Sequence, residues 1–246
     1  MAAVCALCKR NGDLQNSHIL PEFFYKLVYD PKPRRFHAIS AIASEPERYE
    51  QKGVRERLLC RECEQKLGRW EHYAKAAFVD ARGVQITQQQ DAVVFGNLDY
   101  KLFKLFQLSL LWRMSVSTLD FFKGISLGPY EEKIRLALIN EDPLRPDQYA
   151  CWMIVVLLNG KFYTDWIIEP TVARVGGRHV YSLVITGILF NFYVGKQPLL
   201  PSIASHVLNE RGEMSVSVME MREIPFLIKF ARRLVHARDA RRKTRS

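Results

Sequence analysis

Apolar and polar positions alternate along this chain in two different rhythms. From Tyr100 to Val116 the run YKLFKLFQLSLLWRMSV carries apolar residues at three- and four-residue spacing, which predicts a helix directly after Asp99. PYEEKIRLALINE, set between a Gly/Pro break and DPLRP, predicts a second helix. Other stretches are β-branched and aromatic, and bounded by turn residues. YACWMIVVLLN, KFYTDWIIE and MSVSVMEM each read as a strand, and RGVQITQQQDAVVFGNLD as short strands joined by a turn. RHVYSLVITGILFNFYVG reads as a buried strand pair bent at Gly187. A Pro-bounded segment, QPLLPSIASHVLNERG, precedes the last strand, and the chain closes with the helical pattern IPFLIKFARRLVHARDARR. Residues 79–246 therefore read as an α+β domain with an antiparallel sheet and a basic C-terminal helix. Neither an internal repeat nor a low-complexity segment interrupts it.

Residues 1–78 follow a different plan. CALC is followed by SHILP, then PEFFYKLVYD, where Pro21 suits the first turn of a helix. DPKPRRFHAISAIASEPERYEQKGVRER reads as a long loop, and LLCREC runs straight into QKLGRWEHYAKAAF, a further predicted helix. The two CxxC pairs, Cys5/Cys8 and Cys60/Cys63, supply four thiolates for a tetrahedral zinc. A two-residue gap lets both sulfurs of one knuckle reach the same ion, and the second knuckle continuing into a helix is a treble-clef arrangement. Such a site is closed, with no position left for water, so its metal is structural and holds together a module with little core of its own. Cys151, in an apolar run, reads as a buried hydrophobe.

Charge and composition change the picture in two ways. The net charge of +10 sits at the ends: residues 222–245 hold nine basic against two acidic side chains, and residues 1–75 fourteen against ten. That distribution suits a polyanion such as nucleic acid, and equally a solvated tail. The longest apolar stretch, Val180 to Gly195, is too short to span a bilayer. No leader pattern opens the chain, which with the unpaired cysteine count places the expected location in the cytoplasm, away from membranes. Residues 79–246 contain no GxGxxG, P-loop, GxSxG or HExxH pattern. His179, His206 and His236 stand isolated there, and Arg113 falls inside the apolar helix, either buried and paired or at its edge.

CALC, SHILP and LLCRECE, in this order and spacing, resemble the HNH endonuclease family in its version stapled by two CxxC pairs, over about residues 1–75. The resemblance implies a ββα-metal module. It puts His18 where the family has its general base, which takes a proton from water for attack on a phosphodiester. It also implies a Mg²⁺- or Mn²⁺-type catalytic ion. Three positions depart from the family pattern. Ser17 stands in place of an acidic or histidine ligand, Arg55 or a neighbour in place of an asparagine, and Glu64 in place of a histidine or asparagine. Glu64 is a suitable hard-metal ligand. Glu71, seven residues along the same helix face and beside His72, is a second candidate or part of a solvated face. His18 also has a plainer reading, as a cap on the helix after Pro21.

The expectation is a metal-dependent HNH-like nuclease acting on nucleic acid, DNA before RNA, in phage defence or mobile-element biology. The basic residues Arg34, Arg35, Arg55, Arg57, Arg232, Arg233, Arg241 and Arg242 would grip phosphates. Residues 79–246 would dock a partner protein or substrate. The alternative is a catalytically degenerate zinc-finger-type protein that binds nucleic acid or serves as a scaffold.

Overall fold

The computed structural model describes residues 3–28, 36–39, 48–50, 54–162 and 166–228. The chain opens with strands β1 (Ala3–Val4), β2 (Asn11–Gly12) and β3 (Leu14–His18), then helix α1 (Glu22–Val28). Strands β4 (Phe36–Ile39), β5 (Arg48–Glu50) and β6 (Arg55–Cys60) follow, and β6 runs without a loop into α2 (Arg61–Phe78). Next come β7 (Gln85–Gln88), β8 (Ala92–Gly96), and helices α3 (Tyr100–Val116) and α4 (Pro129–Asn140). The rest is β9 (Ala150–Leu158), β10 (Lys161–Phe162), β11 (Trp166–Val175), β12 (Arg178–Ile185), β13 (Ile188–Val194), α5 (Pro201–Ala204) and β14 (Met214–Glu220).

The fold is mixed α and β around one large, mainly antiparallel sheet. Among the described residues that sheet has ten strands, in the order β5-β4-β11-β12-β13-β9-β14-β8-β7, with β10 added beside β9. Two pairings in it are parallel, β4 with β11 and β14 with β9. β12 and β13 form the hairpin expected at Gly187. Ile185 pairs with Ile188, and both turn residues, Thr186 and Gly187, have positive φ, as a two-residue primed turn requires. Asp99 caps α3, its side chain accepting from the Leu102 N–H at 2.9 Å.

Two readings from the sequence pattern differ from the structure. The segment expected as a long loop after α1 contains β4 and β5. They extend the large sheet because β11 has a free edge whose backbone groups need partners. KFYTDWIIE is not one strand; β10 and the much longer β11 divide it. In α3, the helix expected from apolar spacing, every residue from Phe103 to Met114 is buried. It lies between the sheet and α2, so it meets protein on all sides.

A continuous apolar cluster joins the two parts of the chain. It runs from Cys5 and Leu7 through Leu67 and Trp70 of α2 and Phe103, Phe106 and Leu110 of α3, to Met153, Leu183, Phe190 and Phe192 on one sheet face. The opposite face, with Ile154, Val156, Val184 and Leu189, packs against Met221, Ile224 and Leu227. Polar contacts pin the first knuckle and α2 to α4. The Arg135 guanidinium donates to the Leu7 carbonyl at 2.5 Å while paired with Glu132, and Lys66 donates to the Ile139 carbonyl at 2.9 Å. Within α3, the buried Lys104 ammonium donates to the Gln148 carbonyl at 2.8 Å, and burial brings its pKa down to about 8.

Two glycines should respond oppositely to alanine. Gly212 has φ +75°, and a Cβ there would stand 2.0 Å from the Leu98 carbonyl oxygen, whose own N–H bonds back to Gly212. Gly212→Ala is expected to lower stability by about 2–4 kcal/mol. Gly68, inside α2 with open space at its Cβ position, should gain about 0.5–1 kcal/mol as Gly68→Ala. Denaturant midpoints at constant slope check both.

Candidate functional site

The knuckle between β1 and β2 carries Cys5 and Cys8, while Cys60 ends β6 and Cys63 lies in the first turn of α2. Their four sulfurs all lie within 4.8 Å of one another. Cys8 Sγ and Cys60 Sγ are 3.8 Å apart. A tetrahedron with metal–sulfur bonds of ~2.3 Å has edges of roughly 3.8 Å, so the donor set and its spacing fit a structural ion such as zinc. The Cys60 backbone N–H donates to Cys5 Sγ at 3.3 Å, tying the two knuckles together. Electrostatics separates the thiols. Burial pushes the Cys63 thiol up, reinforced by its sulfur neighbours. Burial also opposes Cys8 ionisation, but hydrogen bonds from the Arg10 backbone and side chain outweigh it and bring that thiol down to about 6. Four thiolates this close repel one another unless a cation sits between them.

The knuckles set the geometry of what lies beside them. β3 pairs antiparallel with β6, Leu14 opposite Cys60, Ser17 opposite Glu56 and His18 opposite Arg55. α2 continues from β6 and buries Cys63, Leu67, Trp70, Ala74 and Ala77. Glu64 and Glu71 flank that buried stripe, facing the end of β3. Ser17 is fully buried, and its hydroxyl donates to Glu64 Oε2 at 2.6 Å. Glu71 Oε1 lies 2.6 Å from Arg113 Nη1, and the same nitrogen donates to the His18 carbonyl at 2.8 Å. The imidazole of His18 is half-buried, 6.0 Å from the Tyr25 ring, whose hydroxyl accepts from the Val54 N–H at 3.0 Å.

Glu71 thus stands away from the solvated face that one reading gave it. Its side chain is 21% exposed and serves as counter-ion to an arginine that is 2% exposed. His72 points outward, and its Nδ1 lies 2.7 Å from the Gly68 carbonyl of its own helix. Among the described residues, the four cysteines are the one group of three or more histidine, cysteine or carboxylate side chains gathered closely enough to hold an ion. Arg55 and Arg57 are exposed on β6, with Arg57 paired to Asp13 at 2.8 Å. Arg34, Arg35, Arg232, Arg233, Arg241, Arg242 and His236 lie outside the described residues. His179 is exposed, and His206 stacks on Trp152 with ring centroids 5.5 Å apart.

The residue that pattern reading left unassigned is Arg113. Its signal was present: a guanidinium inside an apolar helix needs a partner, because an unpaired buried charge is very costly. What the sequence could not supply was the partner, forty-two residues upstream. Glu56 was missed as well. It accepts from the hydroxyls of Ser117 at 2.8 Å and Thr118 at 2.6 Å, fastening β6 to the end of α3. An apolar cavity of about 280 Å³ lies elsewhere, lined by Phe78, Phe95, Phe103, Phe106 and Phe190 with Thr186 its sole polar lining residue, and offers no chemistry. No helix among the described residues is long and apolar enough to cross a membrane. Comparison with protein-family models, curated proteins and solved structures gives no match to this chain.

Replacing Cys60 or Cys63 by alanine, or treating the protein with a strong chelator, is expected to release one zinc per chain and loosen residues 1–78. Metal analysis with hydrogen exchange of the α2 amides checks this; wild-type protein purified without bound metal would contradict it. Ser17→Ala leaves a half-buried Glu64 oxygen without its donor and should cost about 1 kcal/mol, read from the denaturation midpoint.

Proposed function

We propose that residues 1–78 form an HNH-like treble clef and that the chain is a metal-dependent nuclease hydrolysing phosphodiester bonds of nucleic acid, DNA before RNA. The supporting observation is the unit β3–β6–α2, stapled at one end by the four cysteines. It sets the half-buried His18 at the end of its first strand and Glu64 at the start of its helix.

In this reading His18 is the general base: its neutral imidazole takes a proton from water as the water oxygen attacks phosphorus and the bond to the leaving oxygen breaks. A hard divalent ion takes one or two carboxylates together with water, and Glu64 is the carboxylate that fits. Its Oε2 accepts from Ser17, and its Oε1 has no hydrogen bond among the described residues. Bound there, the ion would supply charge to the scissile phosphate and leaving oxygen. Arg55, opposite His18 and exposed, is placed to meet a phosphate, and the basic end of the chain adds affinity without sequence information. A role in phage defence or mobile-element biology follows from the resemblance alone.

A second reading is a catalytically degenerate module that binds nucleic acid or organises partners. The ion pair between Glu71 and Arg113 favours it, since it occupies one of the two candidate carboxylates, as does the buried serine where the family has a ligand. Supercoiled plasmid with Mg²⁺ or Mn²⁺ separates the two. Under the nuclease reading the wild type nicks or linearises DNA, and His18→Ala loses about 10²–10⁴-fold in rate with zinc content unchanged. A wild type that binds DNA, with affinity falling steeply with salt, yet never cuts is the degenerate protein.

A further inference from the structure

Arg113 belongs to α3, outside the stretch that resembles HNH proteins, yet its guanidinium reaches the end of β3 and the middle of α2 together. Nη1 contacts both Glu71 Oε1, at 2.6 Å, and the His18 carbonyl, at 2.8 Å, while Nε donates to the Ser109 carbonyl of its own helix at 3.3 Å. Nη2 is enclosed with no hydrogen-bond partner among the described residues. The guanidinium is therefore held by these contacts rather than by a wider network. Removing one member of such a pair leaves a buried charge uncompensated, so the contact is rigid.

The two carboxylates of α2 consequently have different electrostatic fates. Glu64 meets a neutral hydroxyl and has no ion pair with a basic side chain among the described residues. Glu71 is neutralised by a buried cation. We infer that Arg113 is a positioning residue of the site: it clamps the His18 end of β3 to Glu71, and by neutralising Glu71 it reserves divalent-ion binding for Glu64. The site is then complete only when α3 is docked on the zinc-stapled module. Both halves rest on the metal-dependent nuclease reading, but the ion-binding half is measured without cleavage.

The test uses the zinc-loaded full chain and four variants: Arg113→Met, Arg113→Lys, Glu71→Gln, and the double substitution Arg113→Met with Glu71→Gln. Mn²⁺ titration followed by electron paramagnetic resonance reads the ion-binding half. Arg113→Met frees Glu71 and should tighten Mn²⁺ binding at least 10-fold. Arg113→Lys, which keeps the charge, and the double variant, which removes both charges, should bind as wild type. Wild-type Mn²⁺ affinity in Arg113→Met, or equal tightening in Arg113→Lys, overturns it; if Arg113→Met does not fold, tightening in Arg113→Lys or weakened binding in Glu71→Gln overturns it, and wild-type affinity in both supports it. Plasmid cleavage reads the other half. The double variant restores a neutral, folded pair but should keep kcat at least 10-fold down with KM within 2-fold of wild type. Full kcat in the folded double variant shows a merely structural contact and overturns the positioning role. A wild type that never cuts overturns that role together with the nuclease reading, while the Mn²⁺ titration still judges the reservation of Glu64 by itself.

Discussion

Convergence of four thiols is the constraint on which the N-terminal module depends. Sulfurs within 4.8 Å of one another in a half-buried setting cannot all ionise unless a cation neutralises them. With a cation between them, two short knuckles separated by about fifty residues become one rigid corner. From that corner β6 passes straight into α2, so the direction of the helix and the register of β3 against β6 are fixed together. The placement of Ser17, His18, Glu64 and Glu71 is inherited from this corner.

The second organising element is α3. A helix enclosed on all sides contributes to the cores of everything around it, and here it carries the apolar cluster from the four-cysteine corner to the sheet. It also carries polar groups into the interior. Lys104 and Arg113 are both buried, and each is matched to acceptors that lie far away in sequence. Exposed pairs such as Arg10–Glu62 and Arg57–Asp13 contribute little by comparison, because water screens them. The buried Arg113–Glu71 pair differs in kind: its cost when broken is large, so it specifies how α2 and α3 meet.

Much of the fold was legible along the chain. The apolar periodicity that marked α3, the strand pair folding at Gly187, and the helix running out of the second knuckle are local signals, set by side-chain sterics and turn geometry. β4 and β5 were not legible. A short edge strand is made by the vacancy beside β11, and nothing in Phe36–Ile39 or Arg48–Glu50 announces it. The full burial of α3 was not legible either: three- and four-residue spacing reports that one face is buried and says nothing about the other.

For the site, the sequence by itself determined which four side chains could hold an ion such as zinc, because paired thiolates at CxxC spacing suit one tetrahedral metal. It also determined that His18 and the two glutamates lie near the knuckles. Only the tertiary structure decided what each of them touches: Glu64 faces a buried hydroxyl, Glu71 a buried guanidinium, and the His18 backbone is tied to a helix ninety-five residues on. The physical reason is range. Metal-ligand spacing and helix periodicity act within a few residues, whereas the need to neutralise a buried charge is met by whichever chain segment the core brings alongside it.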